Sequence, residues 1–262
     1  MNSSVRGVDL NCDLGEGFGP YRIADDHALL GMITSANVAC GFHAGDPVIM
    51  DTTVRRALEQ GVDVGAHIGF NDLQGFGRRR LSLSRKELET LTLYQLGALH
   101  AIAQGAGHRM THVSFHGALG NMVAEDDELA MILLGASRSF DPSLIVSSIP
   151  NGAAARAAER LGLPLATKFL ADRAYDDQGL LVSRSTSSAV IKDPAAILER
   201  VKQALNDHSV TTITGKRLPM HVDQILLHSD TPGSIELGKT ILEAISQSGR
   251  PLMPISKIIQ GK

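Results

Sequence analysis

Five apolar runs in this 262-residue chain end in a histidine or an aspartate beside glycine or another small residue. ITSANVAC leads into Gly41-Phe-His43-Ala-Gly-Asp46, VDVGA into His67, and MTHVSF into His116 and Gly117. LPLATKFL leads into Ala171-Asp172-Arg173, and QILL into His228-Ser-Asp230. Near the N-terminus, VDLNCDLGE alternates between two faces, so Asp9, Asn11 and Asp13 share one face and Val8, Leu10 and Cys12 the other. A single histidine of this kind more often fills a hydrogen-bonded structural role; five such endings together point to a site. Imidazoles change charge near neutral pH, and carboxylates orient them or act as bases. An arginine can hold a carboxylate through two parallel hydrogen bonds. This inventory suits acid–base chemistry on a small anionic substrate. It also suits a metal-dependent hydrolase with Asp13, His43 and His67 around one ion. His112 and His116 are excluded as such a pair, because four residues of strand span about 13 Å. Arg78, Arg79 and Arg80 read equally well as a solvated cluster or as ligands for a carboxylate or phosphate at the mouth of the site.

The elements that must position these residues alternate. Strands are expected at Gly7–Cys12, Ile33–Ala39, Val62–Ala66, Met110–Phe115, Leu144–Ser148, Leu165–Leu170, Val210–Thr214 and Gln224–Leu227. Helices are expected over Asp46–Gln60, Ser84–Gln104, Glu125–Arg138, Asn151–Leu161 and Asp193–Asn206, the second opening on a Ser-x-x-Glu capping box. Alternating β and α units call for a parallel sheet covered by helices. A closed or nearly closed β/α barrel spanning 1–262 as one domain is the first expectation, and an open doubly wound sheet the second. Both architectures place their sites at the C-terminal edge of the strands, where the His and Asp residues fall.

Composition narrows the partners. A net charge of −3 gives no electrostatic footprint for nucleic acid. No apolar run approaches the ~20 residues that span a bilayer, and MNSSVRGVDLNCDLGEG lacks the apolar core of a secretory signal. Two cysteines, Cys12 and Cys40, cannot build a disulfide framework, so a cytoplasmic chain with free thiols is expected. Cys12, on the face opposite Asp13, is expected to pack. The 26 glycines stand out, many of them beside His or Asp. GSIELGKT at 233–240 matches a phosphate-loop pattern, yet Thr231 and Pro232 suit the N-cap and first position of a helix that would begin ahead of the pattern. Ile235, Gly238, Ile241, Leu242 and Ile245 then form an apolar helical face, and a phosphate site is not expected there.

DLNCDLGEGFGPY, SANVACGFHAGDP, GAHIGFNDLQGFGRR, YQLGAL, HGAL and FLADRAY, in this order, resemble the LamB/YcsF family, which supplies the A-subunit of the prokaryotic ATP-dependent 5-oxoprolinase. The resemblance runs from about Asp9 to Pro254. It implies a (β/α) barrel of the glycoside hydrolase/deacetylase type, irregular or seven-stranded forms included. It also implies ATP-dependent opening of the lactam 5-oxoproline to glutamate, with partner subunits B and C. Position by position, it implies catalytic roles for Asp13, His43, His116, Asp172 and His228. Substrate-binding roles fall to Asp9, Asn11, Glu16, Asp46, His67, Arg78, Arg79, Arg173 and Asp230. Asp13 or His43 would act as base, His116 or His228 as acid, and Arg173 or the Arg78–Arg79 pair would grip the substrate carboxylate. No metal ligand is assigned by the resemblance, and the divalent-ion reading stays open. Departures cluster at the site: Ser114-Phe115 replaces Lys-Pro before His116, Gly120 replaces Tyr, Lys168 replaces Glu, and Ser229 replaces Gly. They put the substrate, rather than the fold, in question.

Overall fold

The computed structural model describes residues 6–260; the first five residues of the stretch read above for a secretory signal lie outside them. Seven parallel strands close into a barrel: β1 (Asp9–Leu14), β2 (Ser35–Ala39), β3 (Asp63–Ile68), β4 (Met110–Phe115), β5 (Ile145–Ser148), β6 (Leu165–Leu170) and, after a two-stranded excursion, β9 (Gln224–Leu227). Parallel pairing of β1 with β9, Asp9 opposite Gln224, completes the ring. The sheet is closed, not open.

The excursion corrects one expectation. The run Val210–Thr214 is not a barrel strand: β7 (Ser209–Thr211) pairs antiparallel with β8 (Arg217–Pro219) apart from the barrel. The first strand also begins later than expected, at Asp9, and runs through Asp13 to Leu14.

Helices cover the outside, and their ends follow local chemistry. In α2 (Pro47–Gln60), the Asp46 side chain accepts from the amides of Val48 and Ile49, Pro47 opens the helix, and Gly61 closes it at φ 67°. In α3 (Arg85–Gly105), Ser84 and Glu87 form the expected capping box. The helices α5 (Asp127–Phe140), α6 (Ala153–Leu161) and α7 (Pro194–Asn206) match expectation within a few residues. The short α1 (Asp26–Leu30) and α4 (Gly117–Glu125) were not expected.

The helix α8 (Ser234–Ser248) begins one residue inside the phosphate-loop pattern rather than ahead of it. Gly233, at φ 79°, is its N-cap, and Thr231 instead spends its hydroxyl on Asp172, 3.3 Å away. Lys239 projects outward and bonds Glu236 at 2.8 Å. The pattern is a helix. Among the described residues no helix is long and apolar enough to cross a membrane.

Leu10, Cys12 and Leu14 point outward into the main apolar core beneath the helices. Both cysteines are buried and free. The helix α9 (Ile255–Gln260) sits at the N-terminal end of the barrel. Ile255 packs there with Ile145 and Ala166, and the amides of Ile255 and Ser256 bond Ser35 and Asp63. That end is plugged, so access to the interior is from the C-terminal end.

Candidate active site

A cavity of about 410 Å³ opens at that end. Strand alternation delivers its inner wall, because β1 turns Asp13 inward, β3 His67, β6 Lys168, and the end of β9 His228, while Ser114 of β4 is turned inward but fully buried against Lys168.

On one side lies a knot of three imidazoles and a carboxylate. Glu16 Oε1 is 3.2 Å from His43 Nε2 and 3.4 Å from His116 Nδ1, and His67 Nε2 is 3.0 Å from His116 Nδ1. The rings of His43 and His116 stack with centroids 3.8 Å apart. Glycines make this crowding possible: a Cβ on Gly69 would lie 2.5 Å from the His43 ring. One on Gly77, at φ 61°, would lie 2.6 Å from His43 Cβ and 2.9 Å from His116. Burial pushes His43 and His67 well below the ordinary imidazole range and His116 down to about 3, so all three are neutral. His116 Nε2 donates to the Phe76 carbonyl at 2.8 Å, which leaves Nδ1 as an acceptor facing the knot. Burial, and then the charge of Asp13, push Glu16 well up.

On the other side the electrostatics reverse. His228 Nδ1 lies 3.0 Å from both carboxylate oxygens of Asp172. Burial works against a charged imidazole here, but the Asp172 carboxylate outweighs it, so His228 is raised above its ordinary value. Asp172 is lowered even though burial opposes it, held down by the facing imidazole. Each partner thus favours the charged form of the other. Asp13, from the neighbouring strand β1, is raised by burial despite the nearby His228 charge and the hydrogen bond from Asn37 Nδ2 at 2.8 Å.

Several sequence-derived candidates are placed elsewhere. Asp46 is spent as the cap of α2 and also accepts from the Gly19 amide. Arg79 is paired with Asp72, away from the cavity wall. Asp9 lies near the plugged end, bonded to Thr34, Ser35 and Gln224, and Asn11 meets Asn37 below the cavity. His43 is fully buried behind His116. Arg78 reaches the mouth and forms an ion pair with Asp230, joining two loops across the opening. Arg80 pairs with Glu125 at the rim. Arg173 borders the cavity, but its guanidinium donates to the carbonyls of Val182 and Ala189.

Sequence reasoning passed over Lys168 and Ser114 as site residues, although it marked both as departures. Lys168 Nζ donates to Ser114 Oγ at 3.0 Å inside the barrel. A lone lysine within an otherwise apolar parallel strand was the available signal. Asn37, which links Asp13 to His112, and Arg184, on the cavity wall, carried no comparable mark.

Comparison with known proteins accords with this architecture. The chain is 55% identical over 252 residues to 5-oxoprolinase A-subunit 1 of Pseudomonas syringae pv. tomato, covering 96% of this chain and 98% of the relative. It is 53% identical to 5-oxoprolinase A-subunit 2 of Ralstonia nicotianae, covering 95% and 96%. The crystal structure of a lactam utilization protein from Thermus thermophilus superposes with a TM-score of 0.89 at 35% identity, covering 94% of this chain and 99% of that one. The LamB/YcsF family model matches residues 8–260, and the chain belongs to that family.

Proposed function

We propose that this chain is the lactam-opening component of an ATP-dependent 5-oxoprolinase, converting 5-oxoproline to glutamate. The names of its relatives support the substrate class. The observation that carries the chemistry is the separation of two protonation states across one cavity. Asp172 raises His228 above the ordinary imidazole value while burial lowers His43, His67 and His116 below it, and Asp13 stands on the strand next to that of His228. A buried carboxylate raised toward neutrality and an imidazole whose charged form its own carboxylate favours can serve as base and acid near neutral pH.

Hydrolysis of a lactam adds water across the ring C–N bond. In this assignment Asp13 takes a proton from the attacking water as the new C–O bond forms. His228 gives its proton to the departing nitrogen as the C–N bond breaks, leaving an amine and a carboxylate on one open chain. His116 and His43 are too strongly held neutral to serve as the acid. Each such proton transfer typically contributes 10²–10⁴-fold. ATP, bound by the assembled complex with subunits B and C, supplies the activation that amide resonance denies the ring carbonyl. The GSIELGKT helix has no part in it. The test is turnover of 5-oxoproline with ATP, with and without the partners, for the wild type and Asp13→Asn. Activity that needs the partners and falls at least about 100-fold in the variant is expected. Full activity of the chain alone, or of the variant, refutes the assignment.

A second reading, a metal-dependent amidohydrolase without ATP, is favoured by one observation. Single atoms of Glu16, His43, His67 and His116 lie within 4.8 Å of one another. Three neutral imidazoles and a carboxylate fit a divalent ion such as zinc in donor type. The supporting bonds that usually orient such ligands are present only for His116, because Nδ1 of His43 and of His67 have no partner. Glu16 and these histidines would hold the ion, whose role would be to polarise the amide carbonyl. Elemental analysis of protein purified without chelator decides. A stoichiometric ion whose removal abolishes ATP-independent amide hydrolysis would replace the first reading with this one.

A further inference from the structure

Among the described residues, Lys168 is the cavity-lining cation carried by a barrel strand, and its acceptor is an uncharged hydroxyl. Arg78 and Arg80 at the mouth are committed to carboxylates and Arg173 to backbone carbonyls, while Arg184 borders the cavity from the β6–β9 excursion and is exposed. The polar residues around the inner wall largely bond one another: Asp13 and His112 to Asn37, Asp9 and Ser147 to Gln224. Lys168 differs. Its residue is 8% exposed, it borders the cavity, and its three N–H donors have a single protein acceptor, Ser114 Oγ. Among the described residues it forms no ion pair. Asp13 is near enough to favour its charge but does not touch it.

An ammonium taken from water and left short of acceptors is costly, and a buried anion offsets that cost most effectively. Burial lowers Lys168 to about 8, against the opposing pull of the Asp13 carboxylate. Because Lys168 donates to Ser114 Oγ, the hydroxyl proton of Ser114 remains available to a second acceptor. Ser114, fully buried two strands away on β4, holds the ammonium from behind, and the two remaining N–H donors of Lys168 are left for a carboxylate in the cavity.

We propose that Lys168, seated on Ser114, is the receptor for the carboxylate of the substrate, so that the cavity selects amides bearing an acid group over neutral ones. The proposal displaces the arginines from this role and rests on the lactam reading only for the remainder of the ligand. It also gives the two departures at positions 114 and 168 a joint meaning, since one supplies the ammonium and the other the hydroxyl that holds it. Lys168 is a specificity residue here, apart from the acid and the base.

Calorimetric titration of the full chain tests it with three probes: 5-oxoproline, its neutral carboxamide, and propionate. The wild type is expected to bind 5-oxoproline at least about 30-fold more tightly than the carboxamide, the loss typical when one partner of a buried charge pair is removed. Lys168→Met should erase that preference and the binding of propionate, while leaving the carboxamide unchanged. Lys168→Arg should retain a preference for the acid. Equal binding of acid and carboxamide by the wild type overturns the proposal without any variant, as does a preference that survives in Lys168→Met. Absence of binding by all three probes overturns it too. Propionate bound through Lys168, together with no turnover of 5-oxoproline when ATP and partners are supplied, leaves the receptor standing and removes the lactam reading.

Discussion

Asp9 offers a direct measure of what the barrel interior costs. Its carboxyl is fully buried and receives three side-chain donors: Thr34 Oγ1 at 2.6 Å and Ser35 Oγ at 2.7 Å on Oδ1, and Gln224 Nε2 at 2.7 Å on Oδ2. Burial outweighs these bonds and raises its pKa from 3.8 to about 7. Between those two values the native state holds a proton that the unfolded chain has released, so stability declines as pH rises through the window and levels off above it. A shift of that size corresponds to about 4 kcal/mol, an upper figure because a buried site relaxes around its charge. Asp9→Asn keeps the shape and removes the titration. The amide of Gln224 can turn over to accept from the new amide, and its N–H₂ can then meet Ser147, now 2.5 Å from Gln224 Oε1. Urea unfolding is followed by far-ultraviolet circular dichroism, since the chain has no tryptophan. Relative to wild type, the variant should gain about 2–4 kcal/mol on going from about pH 4 to pH 8. Curves that run parallel across this range would refute the assignment of a buried, proton-holding Asp9.

Two further outcomes follow from the site and its wall. His228 acts when protonated, so activity should fall as pH rises through its raised pKa. Asp172→Asn removes the charge that raises it, so the alkaline limb of the rate profile should move to lower pH while kcat drops about 10²-fold or more; an unmoved limb would remove His228 as the acid. Gly65→Ala would drive a Cβ into the His112 ring, and should cost about 1–3 kcal/mol or more by urea unfolding; an unchanged midpoint would mean that the inner wall is looser than described.

How far the sequence foretold this molecule depends on the range of the forces involved. The alternation Asp9, Asn11, Asp13 against Leu10, Cys12, Leu14 is fixed by strand geometry, and the structure places those two sets inside and outside the barrel. The Ser84 capping box is equally local, and it stands as expected. Val210–Thr214 misled because a β-branched run looks the same in a hairpin as in a barrel; only closure of β9 onto β1 tells them apart. Thr231 misled for a related reason, as its hydroxyl had a distant alternative in Asp172. The motif around Asp46 could not show whether its carboxylate would meet a ligand or cap a helix. Nor could the spacing of His43 and His116 reveal that their rings stack, since that contact is made by two loops meeting over the barrel.

The excursion between β6 and β9 has a consequence for how such a site can change. Residues 171–223 leave the barrel at its open end and return at its plugged end, carrying α7 and the β7–β8 hairpin with them. Leu180, Leu181 and Arg184 of this segment form part of the cavity wall, yet none of them belongs to a barrel strand. Between Asp172, which faces His228, and Asp223, which bonds Asp9 and Thr167, the segment can therefore be re-shaped, lengthened or exchanged without disturbing the closed ladder. The barrel keeps the acid, the base and the lysine at fixed spacing, while one replaceable wall sets the size of what may sit between them.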